Sequence, residues 1–172
     1  MNVLKKCKRI SVTVFILGMV SGTLYAQSND PEAKASIIKG IEHYENGNFG
    51  ADSLFALGES HSQLGSLAAY NRGRSILEGQ EDLGKARQAF QRAISKTDDE
   101  TLVADAWYNT ANSLMLEKDL ESAIEGYKSA LRANPRHEAA RFNLAQALRQ
   151  QDNQQDQQDQ QDQQDQQDQQ DQ

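Results

Sequence analysis

Three asparagines each follow an aromatic residue, in Tyr70-Asn71, Tyr108-Asn109 and Phe142-Asn143, at spacings of 38 and 34 residues. Arg74 and Asn112 stand three positions beyond the first two of these asparagines. A carboxamide carries both donors and an acceptor, so amides stacked in a column could pair with the N–H and C=O groups of an extended peptide. The neighbouring rings could add apolar contact area. A structural alternative exists for the same residues, with asparagine capping or linking helices and the rings belonging to the core.

Side chains placed for catalysis are fewer. His43, His61 and His137 are scattered, with no H-E-x-x-H pair and no second ligand at metal spacing on one helix face. Each reads as a surface or helix-end histidine. Asp98-Asp99-Glu100 lacks the alternating ligand spacing of a calcium loop. It reads instead as the N-cap and first-turn acids of the helix that carries Trp107. Glycine-rich phosphate loops are missing, and Gly40, Gly47, Gly50 and Gly58 suit turns and close helix contacts. The sequence therefore predicts no catalytic residue, no cofactor and no metal.

The elements that must position the asparagines are helices. Ala123, Tyr127, Ala130 and Leu131 recur at helical spacing, while Glu121, Glu125, Lys128 and Arg132 fall on other faces. Pro31 and Pro135 are the two prolines, and each suits a helix boundary. No segment beyond the N-terminal region alternates long enough to propose a strand, so the predicted fold class is all-α.

A longer pattern organises these helices. Trp107, Thr110, Ala111 and Leu114 are followed by Ala123, Tyr127, Ala130 and Pro135. Phe142-Asn143-Leu144-Ala145 repeats Tyr108-Asn109-Thr110-Ala111 after 34 residues. Upstream, Tyr70-Asn71-Arg72-Gly73 is followed by Ala86, Phe90 and Ala93 in the same rhythm. The longer spacing there is assigned to insertions in the turn before Leu83 and in the loop Thr97–Glu100. Ala51, Phe55 and Gly58 keep the rhythm of a second helix, preceded by a looser first helix from Pro31 to Asn46 with Gly40 and Tyr44. The pattern resembles the tetratricopeptide (TPR) signature W-x2-L-G-x2-Y, A-x3-F, P at a 34-residue period, with Thr110-Ala111 in place of Leu-Gly. One helix pair cannot bury its apolar face alone, so repetition is required.

The expected domain spans 31–150, with repeats at about 34–62, 66–96 and 104–135 and a capping helix at 136–150. The resemblance implies that the first helix of each pair lines a concave groove. It thereby places Tyr70, Asn71, Arg74, Tyr108, Asn109, Asn112, Phe142 and Asn143 in a partner-binding groove. TPR proteins that clamp a terminal carboxylate use paired basic groove residues, and Arg74 is the one obvious groove cation here. Replacing Asn71, Asn109 and Asn143 together is expected to abolish peptide capture with helicity unchanged.

Both ends differ in composition. Lys5, Lys6, Lys8 and Arg9 precede an apolar run from Ile10 to about Val20, and Thr23-Leu24-Tyr25-Ala26 precedes a polar stretch. This order predicts a signal peptide at 1–26, with an uncleaved inner-membrane anchor as the alternative. The chain's single cysteine, Cys7, lies before the apolar run, so thiol chemistry and disulfides are not expected of the exported chain. Residues 151–172 form a Gln/Asp tract with no apolar residue to bury, and disorder is expected there, as a solvated tail or as an acidic spacer or docking segment. The helix before it is expected to end near Gln150, since aspartates three apart repel along a helix.

The net charge is −7, of which the tract supplies −7 and the first 26 residues +4, leaving −4 for 27–150. A mildly acidic domain offers no footprint for nucleic acid. The expected function is a non-enzymatic periplasmic scaffold that binds a protein or peptide. Self-associating envelope assembly and cell-wall glycan binding remain alternatives. Phe142-Asn143-Leu144-Ala145 running into a Gln-rich tail also resembles the TPR component of bacterial aerotolerance (Bat) operons. That resemblance implies membrane-anchored von Willebrand A-domain proteins as partners.

Overall fold

The computed structural model describes the backbone of residues 31–61, 63–80 and 82–170, with side chains through 155 and at 157. The expected signal peptide and Cys7 lie outside the described residues. Among the described residues seven helices follow in order: α1 (Pro31–Glu45), α2 (Asp52–Gly58), α3 (Gly65–Gly79), α4 (Leu83–Ser95), α5 (Glu100–Leu116), α6 (Leu120–Ala133) and α7 (Glu138–Gln170). Strands are absent among the described residues, and the fold is an all-α solenoid.

Helix starts are set by side chains that accept the free N–H groups of a first turn. Asp82, Asp99 and Asp119 cap α4, α5 and α6. Asp99 thus takes the N-cap role that its sequence context predicts. His61 Nδ1 accepts from the N–H groups of Gln63 and Leu64 ahead of α3, and His137 Nδ1 accepts from Ala140 N in α7. Both histidines are helix-end residues, as expected from sequence. The turn inside each pair contains one left-handed residue: Gly47 (φ 74°), Gln80 (φ 52°) and Lys118 (φ 63°).

Helices pack in pairs α1·α2, α3·α4 and α5·α6, and each pair leans on the next through α2·α3, α4·α5 and α6·α7. The first helices also touch directly, α1 with α3 and α3 with α5. Within a pair a bulky ring meets a small residue. A Cβ added at Gly40 would stand 2.7 Å from Phe55 Cε1, and one at Gly73 would stand 2.5 Å from Phe90 Cε1. In the third pair the glycine sits on the second helix, where a Cβ at Gly126 would meet Ala111 Cβ at 2.8 Å. Phe55, Phe90 and Tyr127 are the buried rings of this core.

Polar ties fasten the first pair to the second. Arg72 binds both Asp52 and Glu59, Arg92 binds Glu59 at 2.8 Å, and Lys96 Nζ donates to the Glu59 carbonyl at 3.0 Å. Burial pushes the Glu59 carboxyl up, but hydrogen bonds and charge from Arg92 and Arg72 outweigh it and hold the group below its ordinary value.

The end of α7 corrects the sequence-based expectation. Helix continues through the Gln/Asp tract to Gln170 rather than stopping near Gln150. Docking of its first turns on α6 supplies the nucleus, after which each added residue costs little. Glutamine is a good helix former, and each repelling pair costs only about 0.2–0.5 kcal/mol in solvent. Steps of three residues also carry successive aspartates around the axis instead of along one stripe.

Two outcomes follow from this packing. Gly73→Ala should lower stability by about 1–3 kcal/mol through overpacking against Phe90, measured by denaturant unfolding, and Phe90→Leu in the same chain should recover part of it. Ending the chain after Gln150 should remove the helical circular-dichroism signal of residues 151–170 while leaving the thermal midpoint of the solenoid unchanged.

Candidate functional site

A regular equivalence runs along the first helices. Gly40, Gly73 and Ala111 occupy the same place in their pairs, and Ala145 continues the series 34 residues on. Three residues before each stand Ile37, Tyr70, Tyr108 and Phe142, and two before stand Ile38, Asn71, Asn109 and Asn143. This register generates hydrogen-bonded rungs between neighbouring first helices. Asn109 Nδ2 donates to Tyr70 Oη at 3.1 Å, and Asn143 Nδ2 donates toward Tyr108 Oη at 3.4 Å.

The second rung widens into a network. Asn143 Nδ2 also donates to Asn112 Oδ1 at 3.1 Å, and the same oxygen accepts from Tyr127 Oη at 2.8 Å. Tyr108 packs on Tyr127 and on His137, with centroids 6.0 and 4.9 Å apart. His137 accepts through Nδ1, so its proton sits on Nε2, which donates to Asp105 Oδ1 at 3.1 Å.

Three of the expected residues come together. Asn109, Asn112 and Asn143 line an open groove of about 440 Å³ between α3, α5 and α7, with Tyr127 at its floor. Leu77, Met115 and Leu116 give it an apolar side, and Glu78, Gln80 and Gln146 give it a polar rim. Sequence patterning did not find the rim residues, because Glu78 and Gln80 belong to the end of α3 and Gln146, inside α7, carries no motif. The spacing of Leu77 and Met115 four residues past Gly73 and Ala111 is the one signal that marks them.

The other expected residues lie elsewhere. Tyr70 and Tyr108 are half-buried behind the groove, as acceptors of the rungs. Asn71 turns back to the Leu67 carbonyl at 2.9 Å. Its rung partner would be Ile37, which offers no acceptor. Arg74 is engaged by Tyr44, with its guanidinium 4.6 Å from the ring centroid and a 2.8 Å hydrogen bond to the hydroxyl. Phe142 is 64% exposed on α7 and faces away from the groove that Asn143 enters. The triple asparagine replacement is therefore not neutral to the fold, since Asn109 and Asn143 both link helices.

The rungs leave specific atoms unused. Asn109 Oδ1, Asn112 Nδ2 and Asn143 Oδ1 make no hydrogen bond among the described residues, which leaves an acceptor, a donor and an acceptor on side chains that line the groove. Glu78 is the one charged residue among those lining it. No set of three or more His, Cys, Asp or Glu side chains is placed to hold a metal among the described residues.

Residues 104–147 match the family model described as tetratricopeptide repeat. Among solved structures, the first TPR of Spaghetti (RPAP3) bound to HSP90 peptide SRMEEVD aligns over 72% of this chain and 96% of its own. The TM-score is 0.62 at 15% identity, a likeness of fold. No curated protein matches the sequence. The family match thus covers α5, α6 and the start of α7, and the likeness beyond it is that of a TPR-like helical solenoid fold.

Burial, reinforced by the Asp105 charge, raises the Tyr70 phenol from 10.0 to about 12, against the opposing effects of Arg74 and Asn109. The stability that comes from keeping this phenol neutral is complete below pH 10 and is lost as pH climbs to about 12. Tyr70→Phe should delete a late-ionising tyrosine from an absorbance titration and cost about 0.5–1.5 kcal/mol for the lost rung.

Proposed function

We propose that the chain is an exported, non-enzymatic scaffold that holds an extended protein segment in the groove between α3, α5 and α7. The observation that carries this reading is the unused acceptor, donor and acceptor on Asn109, Asn112 and Asn143, set beside an apolar wall. An extended main chain offers the N–H and C=O groups that such atoms pair with, and Leu77, Met115 and Leu116 supply contact area for its side chains.

The TPR domain of Spaghetti in the similar structure holds a peptide, SRMEEVD, that ends in acidic residues. This groove is built for a different segment. Glu78 lies on its rim, and Arg74 is drawn onto Tyr44, so a neutral or basic segment meets less repulsion than an acidic one. The envelope setting rests on the order of basic, apolar and small residues in 1–26. The pairing with von Willebrand A-domain proteins, as in the aerotolerance systems, rests on the resemblance of Phe142–Ala145 and the Gln/Asp tract alone.

The test avoids the rungs. Leu116 is 52% exposed and Gln146 lies on the rim, so Leu116→Arg with Gln146→Arg fills the groove without touching a linking hydrogen bond. Capture of envelope proteins by the full chain should fall at least about tenfold in this variant, while unfolding free energy stays within about 0.5 kcal/mol. Capture that persists at wild-type strength in the folded variant removes the groove reading.

A further inference from the structure

The solenoid ends differently from the way it continues. At the α3–α5 and α5–α7 joints a tyrosine hydroxyl of one first helix meets an asparagine of the next, and the asparagine stands one place beyond the residue equivalent to that tyrosine. At the C-terminal end the ring position is Phe142, which has no hydroxyl and is 64% exposed. At the N-terminal end the asparagine position is Ile38, which is apolar and 53% exposed. Each end thus carries half of an apolar rung.

The flanking residues extend the match. On α7, Glu138, Phe142, Ala145 and Arg149 form one exposed stripe, at successive spacings of four, three and four residues. On α1, Lys34, Ile38, Ile41 and Glu45 form a stripe at the same spacings. With Ile38 set on Phe142, Lys34 falls on Glu138, Ile41 on Ala145 and Glu45 on Arg149. Both outer pairs are opposite in charge, and both inner pairs are apolar. Ile38 and Ile41 also line a hollow of about 230 Å³ edged by Glu42 and Glu45, a receiving site for a ring.

We propose that the exposed face of α7 docks α1 of a second copy of this chain, head to tail, with Phe142 seated at Ile38. The joint repeats the parallel register of the internal rungs and uses two different surfaces, so it is heterologous and propagates to a ring or a filament. It leaves the groove of Asn109, Asn112 and Asn143 open, so its failure and that of the groove reading are separately visible.

Sedimentation of the full chain from micromolar to millimolar concentration is the test. The mass should rise with concentration, and Phe142→Glu should hold the chain at monomer mass with its helical signal intact. Glu45→Arg and Arg149→Glu should each weaken association by roughly tenfold, as repulsion replaces an attracting pair near a surface. Because both ends belong to every copy, the double variant Glu45→Arg with Arg149→Glu should restore wild-type association. Monomer mass at millimolar concentration overturns the proposal. So does assembly that ignores Phe142→Glu, or charge reversals that fail to rescue one another, the mark of a joint between two α7 faces.

Discussion

The structure depends on the contact between an aromatic ring of each second helix and a residue with little or no side chain on the first. Phe55 lies against Gly40, and Phe90 lies against Gly73, both closer than any Cβ would allow. The third pair reaches the same closeness differently, with Ala111 on the first helix and Gly126 beside Tyr127 on the second. Close approach removes both faces from water and brings neighbouring first helices within reach of a single side chain. The rungs need that reach, since a tyrosine hydroxyl and an asparagine amide bridge a few ångströms and no more. Helix closeness is therefore the cause, and the polar ladder that defines the groove is its consequence.

Linking and presenting are done by the same asparagines, through different atoms. An amide bonded at Nδ2 keeps its oxygen, and an amide bonded at Oδ1 keeps its nitrogen, so a structural network can still offer hydrogen-bonding atoms to a ligand. The links also fix each side chain in one orientation, which would lower the entropy lost on binding the proposed segment. Asn71 is the exception that explains the rule. With Ile37 as its neighbour it has no hydroxyl to meet, folds onto its own helix and stays out of the groove. The first pair is held instead by Arg74 on Tyr44, by Ser75 Oγ donating to the Phe49 carbonyl and by the Arg72, Arg92 and Glu59 cluster.

Much of the fold was legible because it is periodic. Small residues, rings and Tyr/Phe-Asn pairs recur at nearly constant spacing, and Asp99 announces a helix start by chemistry that is purely local. The groove was legible in part. Repetition aligned Asn71 with Asn109 and Asn143, yet a rung takes two residues, and the absence of a hydroxyl at Ile37 shows only when α1 and α3 are placed side by side. Arg74 posed the same difficulty, since its partner Tyr44 lies 30 positions away in a helix whose pattern is loose. The left-handed Gln80 and Lys118 were hidden for a different reason. Glycine marks such a position at Gly47, but its later equivalents carry long side chains held there by the surrounding turn.

Irregularity stays local in such an architecture, because each pair touches only its neighbours and stability is close to a sum over pairs and joints. Extra residues before Leu83 and in the loop ahead of Glu100 change the sequence spacing to 38, yet Tyr70 and Asn109 still meet. The same locality governs the ends. Ala145 stands where Gly73 and Ala111 receive a second helix, but α7 continues as one helix and Ala145 is exposed, with no ring over it among the described residues. What remains exposed there is an apolar stripe between charges. The α3–α5 and α5–α7 joints keep their polar rungs because tyrosine and asparagine satisfy one another away from water, whereas a joint between separate copies must gain its free energy from apolar area removed from solvent. Phe142 and Ile38, in place of tyrosine and asparagine, are the residues that this difference requires.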